Sequence, residues 1–227
     1  KIKKDASASP EKFFPVKTLQ KLGFSRHRCE KCGTYFWSQY ASKVCGDPKC
    51  SGGFRFLDKK IATKSLTYIQ VWHQFAQIHK KLGYTPLDRY PVVSRWNPTM
   101  DYTIASVAAF QPFVVSGEVS PPANPLVIPQ FCLRFTDVDS VGLSGHFTGF
   151  VMLGELAFMP PEKYDKDKYV SDYLTWLNEG MGLANKDITI HEDAWGGGGN
   201  FGCSLEFFSG GLEIGNQVYM TYYHDGK

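Results

Sequence analysis

Four cysteines in a short N-terminal segment restrict the folds open to this chain more than any other feature of its sequence. Cys29, Cys32, Cys45 and Cys50 occur within 22 residues with the spacing C-x2-C-x12-C-x4-C. Each pair lies in a tight turn, "CEKCG" or "CGDPKC", that directs two thiolates towards one tetrahedral ion. Four thiolates leave no coordination position for a substrate, so the pattern predicts a structural zinc ion. Two disulfides or four free thiols are the alternatives.

Length and composition predict either one large domain or one domain with a small satellite. The 227 residues are 43% hydrophobic, which is enough to fill a sizeable core. We expect residues 1–60 to form an extension that carries the zinc knuckle, and residues 61–227 to form the main domain. A formal net charge of +3 is compatible with a nucleic-acid partner but is too weak to argue for one alone.

The sequence contains no signal for a membrane. No apolar run approaches the roughly 20 residues of a membrane span, and the N-terminus lacks the apolar stretch of a signal peptide. We therefore expect a cytoplasmic protein with no membrane contact. The missing initiator Met and the abrupt end "YYHDGK" predict that the sequence is part of a longer polypeptide.

The order of predicted elements indicates an α+β fold. Residues 64–84 have a helical apolar stripe that ends at Gly83, formed by Leu66, Ile69, Trp72, Phe75, Ile78 and Leu82. His73 and His79 are six residues apart, do not share a helix face, and are expected at the surface or its edge. A second helix is predicted over 167–182, with Tyr169, Tyr173, Trp176 and Leu177 inward.

Short β-rich runs divided by Gly, Pro and Asn predict a mostly antiparallel sheet with helices packed against it. The predicted strands are "GFRFLD", "FVVSGEV", "LVIPQFCLRF", "GFVMLGELAF", "DITIHED" and "LEIGNQVYMTYY".

The stretch "DAWGGGGN" raises the question of what approaches the backbone so closely that side chains are excluded. A phosphate-binding P-loop is one answer, but Cys203 stands where the lysine of that motif belongs. A flexible loop is another.

A candidate nucleotide site lies in residues 132–158. Arg134 on one predicted strand, with His146 and Phe150 on its hairpin partner, offers a guanidinium for phosphate and a ring for base stacking. A surface ion pair between Arg134 and Asp137, with Phe150 in the core, is the alternative.

Arg134 followed by a loop and His146-x3-Phe150 resembles motif 2 of the class II aminoacyl-tRNA synthetases. The longer stretches "RYPVVSRWNPTMDYTIASVAAF" and "ITIHEDAWGGGGNFGCSLEFF", together with the cysteine knuckle, are similar to the archaeal type of alanyl-tRNA synthetase. The resemblance extends over nearly the whole chain. It implies a ligase that uses ATP and Mg²⁺ to activate alanine and transfers the alanyl group to tRNA.

The resemblance also implies roles for individual residues. Arg134 would clamp the ATP α-phosphate and the alanine carboxylate, His146 would meet the outer phosphates, and Phe150 would stack under adenine. The alanine pocket would be formed by Val107, Trp195, Gly197, Gly198 and Asn216. A substrate this small needs backbone and one flat ring as walls, which would explain the glycines.

Gly145 and Val151 depart from the family pattern, which has an arginine and a glutamate at these positions. The third family motif lies outside this sequence, so a second chain or a C-terminal segment would supply it. A synthetase paralogue that has lost catalysis and binds RNA, a ligand or a protein is the alternative. An adenylating enzyme with an acceptor other than tRNA is a further one.

Overall fold

The computed structural model describes residues 1–197 and 199–223. Contacts group the chain into two compact units. Unit 1 consists of Lys1–Ser65 and Tyr164–Lys227, and unit 2 consists of Leu66–Lys163. These two units have different boundaries from the predicted domains, 1–60 and 61–227. The predicted domains stay a prediction.

The described residues form helices and strands in the mixture that the sequence predicts, and the α+β class is confirmed. The helices are α1 (Ile2–Ala8), α2 (Pro10–Phe13), α3 (Val16–Lys21), α4 (Pro48–Ser51), α5 (Tyr68–Lys81) and α6 (Lys166–Thr175). The strands are β1 (Ser25–Arg28), β2 (Tyr35–Ser38), β3 (Thr85–Pro86), β4 (Leu126–Leu133), β5 (Gly149–Leu156), β6 (Thr189–Gly197), β7 (Asn200–Ser209), β8 (Leu212–Val218) and β9 (Tyr222–Tyr223). None of the described helices combines the length and the apolar character needed to cross a membrane.

Unit 1 is built on an antiparallel sheet in the order β1-β2-β6-β7-β8, with β9 beside β7. Phe36 on β2 pairs with His191 on β6, so the beginning and end of the chain share one sheet. Helix α6 continues as one π-helical turn over Trp176–Gly180 and packs Tyr173 against Phe207, with ring centroids 4.7 Å apart. The predicted second helix is thus confirmed.

A buried carboxylate joins three strands of this sheet. Glu192 on β6 accepts hydrogen bonds from Arg26 Nε at 2.7 Å and Arg26 Nη2 at 2.6 Å. It also accepts one from Trp37 Nε1 at 2.9 Å, and its side chain is only 2% exposed. Both carboxylate oxygens are therefore satisfied by donors from β1 and β2.

Removal of this carboxylate should destabilise unit 1. Glu192→Ala leaves the Arg26 guanidinium and the Trp37 N–H without their partner, and we expect it to lower the free energy of unfolding by about 3 to 5 kcal/mol. Urea denaturation followed by tryptophan fluorescence measures the change, with the exposed Glu162→Ala as control. A loss no larger than that of the control would contradict the role of Glu192.

Unit 2 contains α5 and the hairpin of β4 and β5, with β3 parallel to β4. Helix α5 starts at a capping box formed by Thr67 and Gln70 and ends before Gly83, whose φ is +95°. The predicted helix is confirmed, but only part of its apolar stripe is buried. Phe75 is buried, whereas Ile69 is 61% exposed.

The predicted surface position of His79 is wrong. Its side chain is fully buried, with Nδ1 2.9 Å from the carbonyl oxygen of Phe75 and Nε2 3.1 Å from Glu155 Oε2. The Tyr84 hydroxyl donates to the other oxygen of Glu155 at 2.8 Å. His79 therefore has its polar partners inside the core, while His73 is exposed as predicted.

Two predicted strands are absent from the described residues. "GFRFLD" forms a 3-10 turn over Arg55–Leu57, since Gly53 has a φ of +96° and breaks the extended backbone. "FVVSGEV" forms consecutive turns, in which the Phe110 carbonyl accepts the N–H groups of Val114 and Val115. Strands β4, β5, β6 and β8 match the other predicted runs.

Candidate functional site

The four N-terminal cysteines converge on one point in unit 1. Their sulfur atoms all lie within 4.8 Å of one another, and the Sγ atoms of Cys32 and Cys45 are 3.7 Å apart. All six cysteines are free thiols, so the disulfide alternative is not realised. A zinc ion about 2.3 Å from four tetrahedral sulfurs would separate them by about 3.8 Å, so the donor set fits zinc.

Backbone hydrogen bonds favour ionisation of one of these thiols, that of Cys29, whereas burial raises the pKa of the Cys45 and Cys50 thiols. The N–H of Cys45 donates to Cys29 Sγ at 3.4 Å. Burial opposes ionisation of Cys29, but hydrogen bonds from the backbone of Cys32, Cys45 and Lys31 lower the pKa of its thiol to about 6. Gly46 then ties the cluster to the sheet, because its N–H donates to His191 Nε2 at 3.0 Å. The knuckle is thus anchored on β6.

In unit 2 the structure brings Arg134 and Phe150 together. The register of β4 and β5 pairs Cys132 with Phe150, and the Arg134 guanidinium carbon lies 5.2 Å from the centroid of the Phe150 ring. Arg134 Nε donates to the Ile104 carbonyl at 2.8 Å. This bond and the stacking contact orient an otherwise exposed cation.

The predicted alternative, an ion pair between Arg134 and Asp137, is not formed in the described part of the chain. Asp137 instead accepts a hydrogen bond from the Thr136 hydroxyl at 3.2 Å. The terminal nitrogens of Arg134 thus have no carboxylate partner among these residues and are available to an anionic ligand.

His146 differs from its predicted place on the hairpin strand. It lies in the exposed loop before β5, where its Nδ1 is hydrogen bonded to the Ser144 hydroxyl. The same loop exposes Leu143 and Phe147, at 82% and 69%. The contact of His146 with the outer phosphates of ATP stays a prediction.

Val107 lies half-buried in the 3-10 turn Ser106–Phe110. Ser106 fixes this turn against β5, since its N–H contacts the Met152 sulfur at 3.3 Å. A methyl group on Gly154 would lie 2.5 Å from the Ser106 Cβ, so a glycine at 154 is required for this packing.

The glycine stretch joins two strands of unit 1. β6 ends at Gly197 and β7 begins at Asn200, whereas a P-loop precedes a helix, so the P-loop hypothesis is wrong. A methyl group on Gly197 would lie 2.7 Å from Cζ2 of Trp195, and one on Gly202 would lie 1.5 Å from the Tyr219 carbonyl oxygen. These glycines make room for the chain's own ring and backbone. Gly198 lies outside the described residues.

Trp195 and Asn216 share one face of this sheet. Trp195 is opposite Gly202 and Asn216 is opposite Glu206, and Gly202 and Glu206 are an even number of residues apart on β7. Asn216 is exposed and its Nδ2 is 3.3 Å from Glu213 Oε1. Glu206 belongs to no motif, but its spacing from Gly202 in "GCSLE" places it on this face once the segment is known to be a strand.

Glu206 is a carboxyl group with an unusual environment. Burial, with the nearby carboxylates of Asp193 and Glu213, raises its pKa to about 7. The unfolded chain releases this proton near pH 4.5 and the folded chain near pH 7. Between these values the unfolded state binds fewer protons, so the stability of unit 1 falls as the pH rises.

Glu206→Gln should remove that dependence. We expect the variant to match the parent at pH 4.5 and to exceed its free energy of unfolding at pH 8 by about 1 to 2 kcal/mol, a value reduced for the partial exposure of the group. Urea denaturation at the two pH values measures the difference, with Glu162→Gln as control. An equal effect at both pH values would show that ionisation of Glu206 is not the cause.

Comparisons with known proteins identify a family and several relatives of this chain. The family described as tRNA synthetases class II (A) matches residues 70–210, which is more than half of the chain. The chain is 45% identical over 224 residues to the protein named Alanine--tRNA ligase of Methanocella arvoryzae, covering 97% of this chain and 26% of that protein. Proteins of the same name from Nitrosopumilus maritimus and Archaeoglobus fulgidus are each 41% identical, covering 97% and 93% of this chain and 25% and 24% of theirs. The chain spans about a quarter of the length of these curated relatives. With the family matched over more than half of its length, the chain belongs to the class II tRNA synthetases (A).

Proposed function

We propose that this chain forms part of the catalytic core of an alanine–tRNA ligase, which activates alanine with ATP and transfers it to tRNA. The observation that carries the proposal is the oriented Arg134 guanidinium, stacked on Phe150 and without a carboxylate partner among the described residues. The printed name of the relatives supports alanine as the amino acid. The cytoplasmic location expected from the sequence belongs to the same proposal.

In the first step a carboxylate oxygen of alanine attacks the α-phosphorus of ATP. The bond from that phosphorus to the bridging oxygen breaks, and pyrophosphate leaves with the electron pair. Negative charge shifts among the phosphate oxygens, and the paired N–H groups of Arg134 are suited to stabilise it. Phe150 would stack on adenine and His146 would contact the outer phosphates. Mg²⁺, when bound, would neutralise phosphate charge.

Of the residues proposed for the alanine pocket, Trp195, Gly197 and Asn216 lie in unit 1. Trp195 supplies a flat apolar wall, Gly197 leaves room for its ring, and Asn216 supplies a polar group on the same face. Glu206, whose raised pKa of about 7 leaves it only partly ionised at neutral pH, lies on the same face, and an ammonium group beside it would favour its charged form. In the second step a hydroxyl oxygen of the terminal tRNA ribose attacks the alanyl carbonyl carbon and gives up its proton to a phosphate oxygen of the leaving group. The bond from the carbonyl carbon to the phosphate oxygen breaks, and AMP leaves with the electron pair.

Two further parts belong to the proposal. The relatives are about four times as long as this chain, so we expect the third family motif and the main tRNA contacts on a further segment or a second chain. We also expect a zinc ion on Cys29, Cys32, Cys45 and Cys50, where it would stabilise the knuckle.

Alanine-dependent exchange of labelled pyrophosphate into ATP tests the proposal. We would compare alanine, glycine, serine and no amino acid, with this chain alone and mixed with the part of the Methanocella relative that it does not cover. Exchange should be fastest with alanine, and glycine or serine should be slower by about 10- to 200-fold, since one methyl or hydroxyl gives limited discrimination. If neither this chain alone nor the mixture exchanges pyrophosphate, the result would favour the alternative, a synthetase paralogue that has lost catalysis.

A further inference from the structure

The positive charge of the chain is concentrated in its first 60 residues. They contain 14 Lys and Arg against five Asp and Glu, whereas the rest of the chain contains 11 against 17. The formal net charges are therefore +9 and −6, although the whole chain has only +3. The acidic excess lies in residues 164–227, with four Lys and Arg against ten Asp and Glu, and these residues belong to the same unit 1, which keeps a formal net charge of +4. The argument for a polyanionic partner therefore depends on which cations of the N-terminal segment are exposed and unpaired.

Most of these cations are exposed and are not used inside the protein. Arg26 is paired with Glu192, and Lys3 pairs with Asp193 at 2.6 Å. Lys17, Lys21 and Lys49 are exposed, and no carboxylate pairs with them within residues 1–197 and 199–223. Their charge is available to a ligand.

Five exposed cations lie in the N-terminal segment of unit 1. We define the basic face as Lys17, Lys21, Arg28, Lys31 and Lys49. The first two are four residues apart on α3 and so lie on one side of that helix. Strand β1, the edge strand of the sheet, follows directly and ends at Arg28.

The sulfur cluster gathers the other members of the basic face. Arg28 precedes Cys29, Lys31 lies between Cys29 and Cys32, and Lys49 precedes Cys50. Because the four sulfurs lie within 4.8 Å of one another, these three cations are held around one small module. Four thiolates on a zinc ion carry a net charge of −2, so the 60 residues would still keep +7, and neutralisation of the thiolates does not account for the excess.

Arg28 is preorganised to bind an anion. Its guanidinium carbon lies 5.9 Å from the centroid of the Tyr35 ring, and its Nε donates to the Gly33 carbonyl at 3.3 Å. These contacts fix the planar group at the exposed edge while its terminal nitrogens have no carboxylate partner among the described residues. An arginine oriented in this way matches the oxygens of a phosphate group.

We infer that the basic face binds the phosphate backbone of RNA; the identification of that RNA as tRNA rests on the proposed function. Several exposed cations without carboxylate partners among the described residues suit a chain of phosphates, which binds largely through Lys and Arg. A membrane surface would require large apolar side chains beside the cations. Among the described residues, α3 and β1 expose none.

The experiment measures binding of a labelled tRNA transcript by fluorescence anisotropy at several salt concentrations. Lys17→Gln with Lys21→Gln should reduce the slope of log affinity against log salt by about 2, or about 1 for each phosphate that is no longer neutralised. Arg28→Ala should reduce it by about 1, and Arg28→Lys should weaken binding less than Arg28→Ala. Circular dichroism and zinc content establish that each variant is folded.

Lys80→Gln with Lys81→Gln is the matched control, because it removes two exposed lysines from the last turn of α5. This pair should leave the slope unchanged, and an equal reduction there would overturn the inference. Binding to phosphatidylserine vesicles but not to RNA would also overturn it. Pyrophosphate exchange, measured without tRNA, separates the two proposals: RNA binding without exchange refutes only the proposed activity, and exchange without RNA binding refutes only the basic face.

Discussion

Arg134→Ala should lower the turnover of alanine-dependent pyrophosphate exchange by about 10²- to 10³-fold, while the KM for ATP changes far less. The guanidinium faces charge that shifts as the adenylate forms, so its removal acts mainly on the transition state. Arg134→Lys keeps the charge but lacks the planar fork, and it should retain an intermediate rate. Steady-state kinetics with varied ATP and alanine separate the two parameters.

The control for Arg134 is Arg89→Ala, which removes another exposed arginine from unit 2. This variant should exchange pyrophosphate at the parental rate. Arg134→Ala with near-normal turnover would remove the residue from the mechanism, even if ATP binding were weakened. The result also tests whether the contacts with Ile104 and Phe150 place the guanidinium for catalysis.

Cys45→Ser should release about one zinc ion per chain and unfold the knuckle. Cys45 is buried at 2% exposure beside the sulfur of Cys32, and a serine hydroxyl is a poor substitute for a zinc-bound thiolate. Structural zinc sites contribute apparent binding free energies of about 10 to 16 kcal/mol, which are also folding free energies. Elemental analysis measures the zinc, and circular dichroism with limited proteolysis measures the unfolding.

Cys132→Ser is the control for the zinc experiment, because Cys132 is buried in unit 2 and takes no part in the sulfur cluster. It should keep the parental zinc content even if it lowers stability. An unchanged zinc content in Cys45→Ser would refute the assignment of four thiolates. Removal of the metal by a chelator should reproduce the unfolding of the knuckle in the parent protein.

Local patterns in the sequence predict the elements that make most of their contacts nearby. The helix over Tyr68–Lys81 has both a period and end signals, and β4 and β5 are long β-rich runs on either side of one loop. The cysteine spacing predicts the cluster, because two short turns supply all four sulfurs. Arg134 and Phe150 meet because the hairpin register brings them together.

Long-range partners decide the features that the sequence does not predict. His79 is buried because Glu155 and Tyr84 supply its polar environment from other elements, and no periodicity within α5 shows this. "FVVSGEV" has β-branched residues, but no strand among the described residues pairs with it, and it forms turns instead. Gly197 is predicted to make room for a substrate, whereas the space beside it is occupied by the ring of Trp195.

The pairing of β2 with β6 constrains the order in which the protein can fold during synthesis. Phe36 is paired with His191, so β2 cannot pair with β6 until the ribosome has added roughly 150 further residues. At about 5 to 20 residues per second this takes roughly 10 to 30 seconds. During that interval Phe36 and Trp37, both almost fully buried in the finished sheet, have no β6 to cover them. Early capture of a metal ion by the cysteines would hold this segment in a defined shape while the ribosome completes its partner strand.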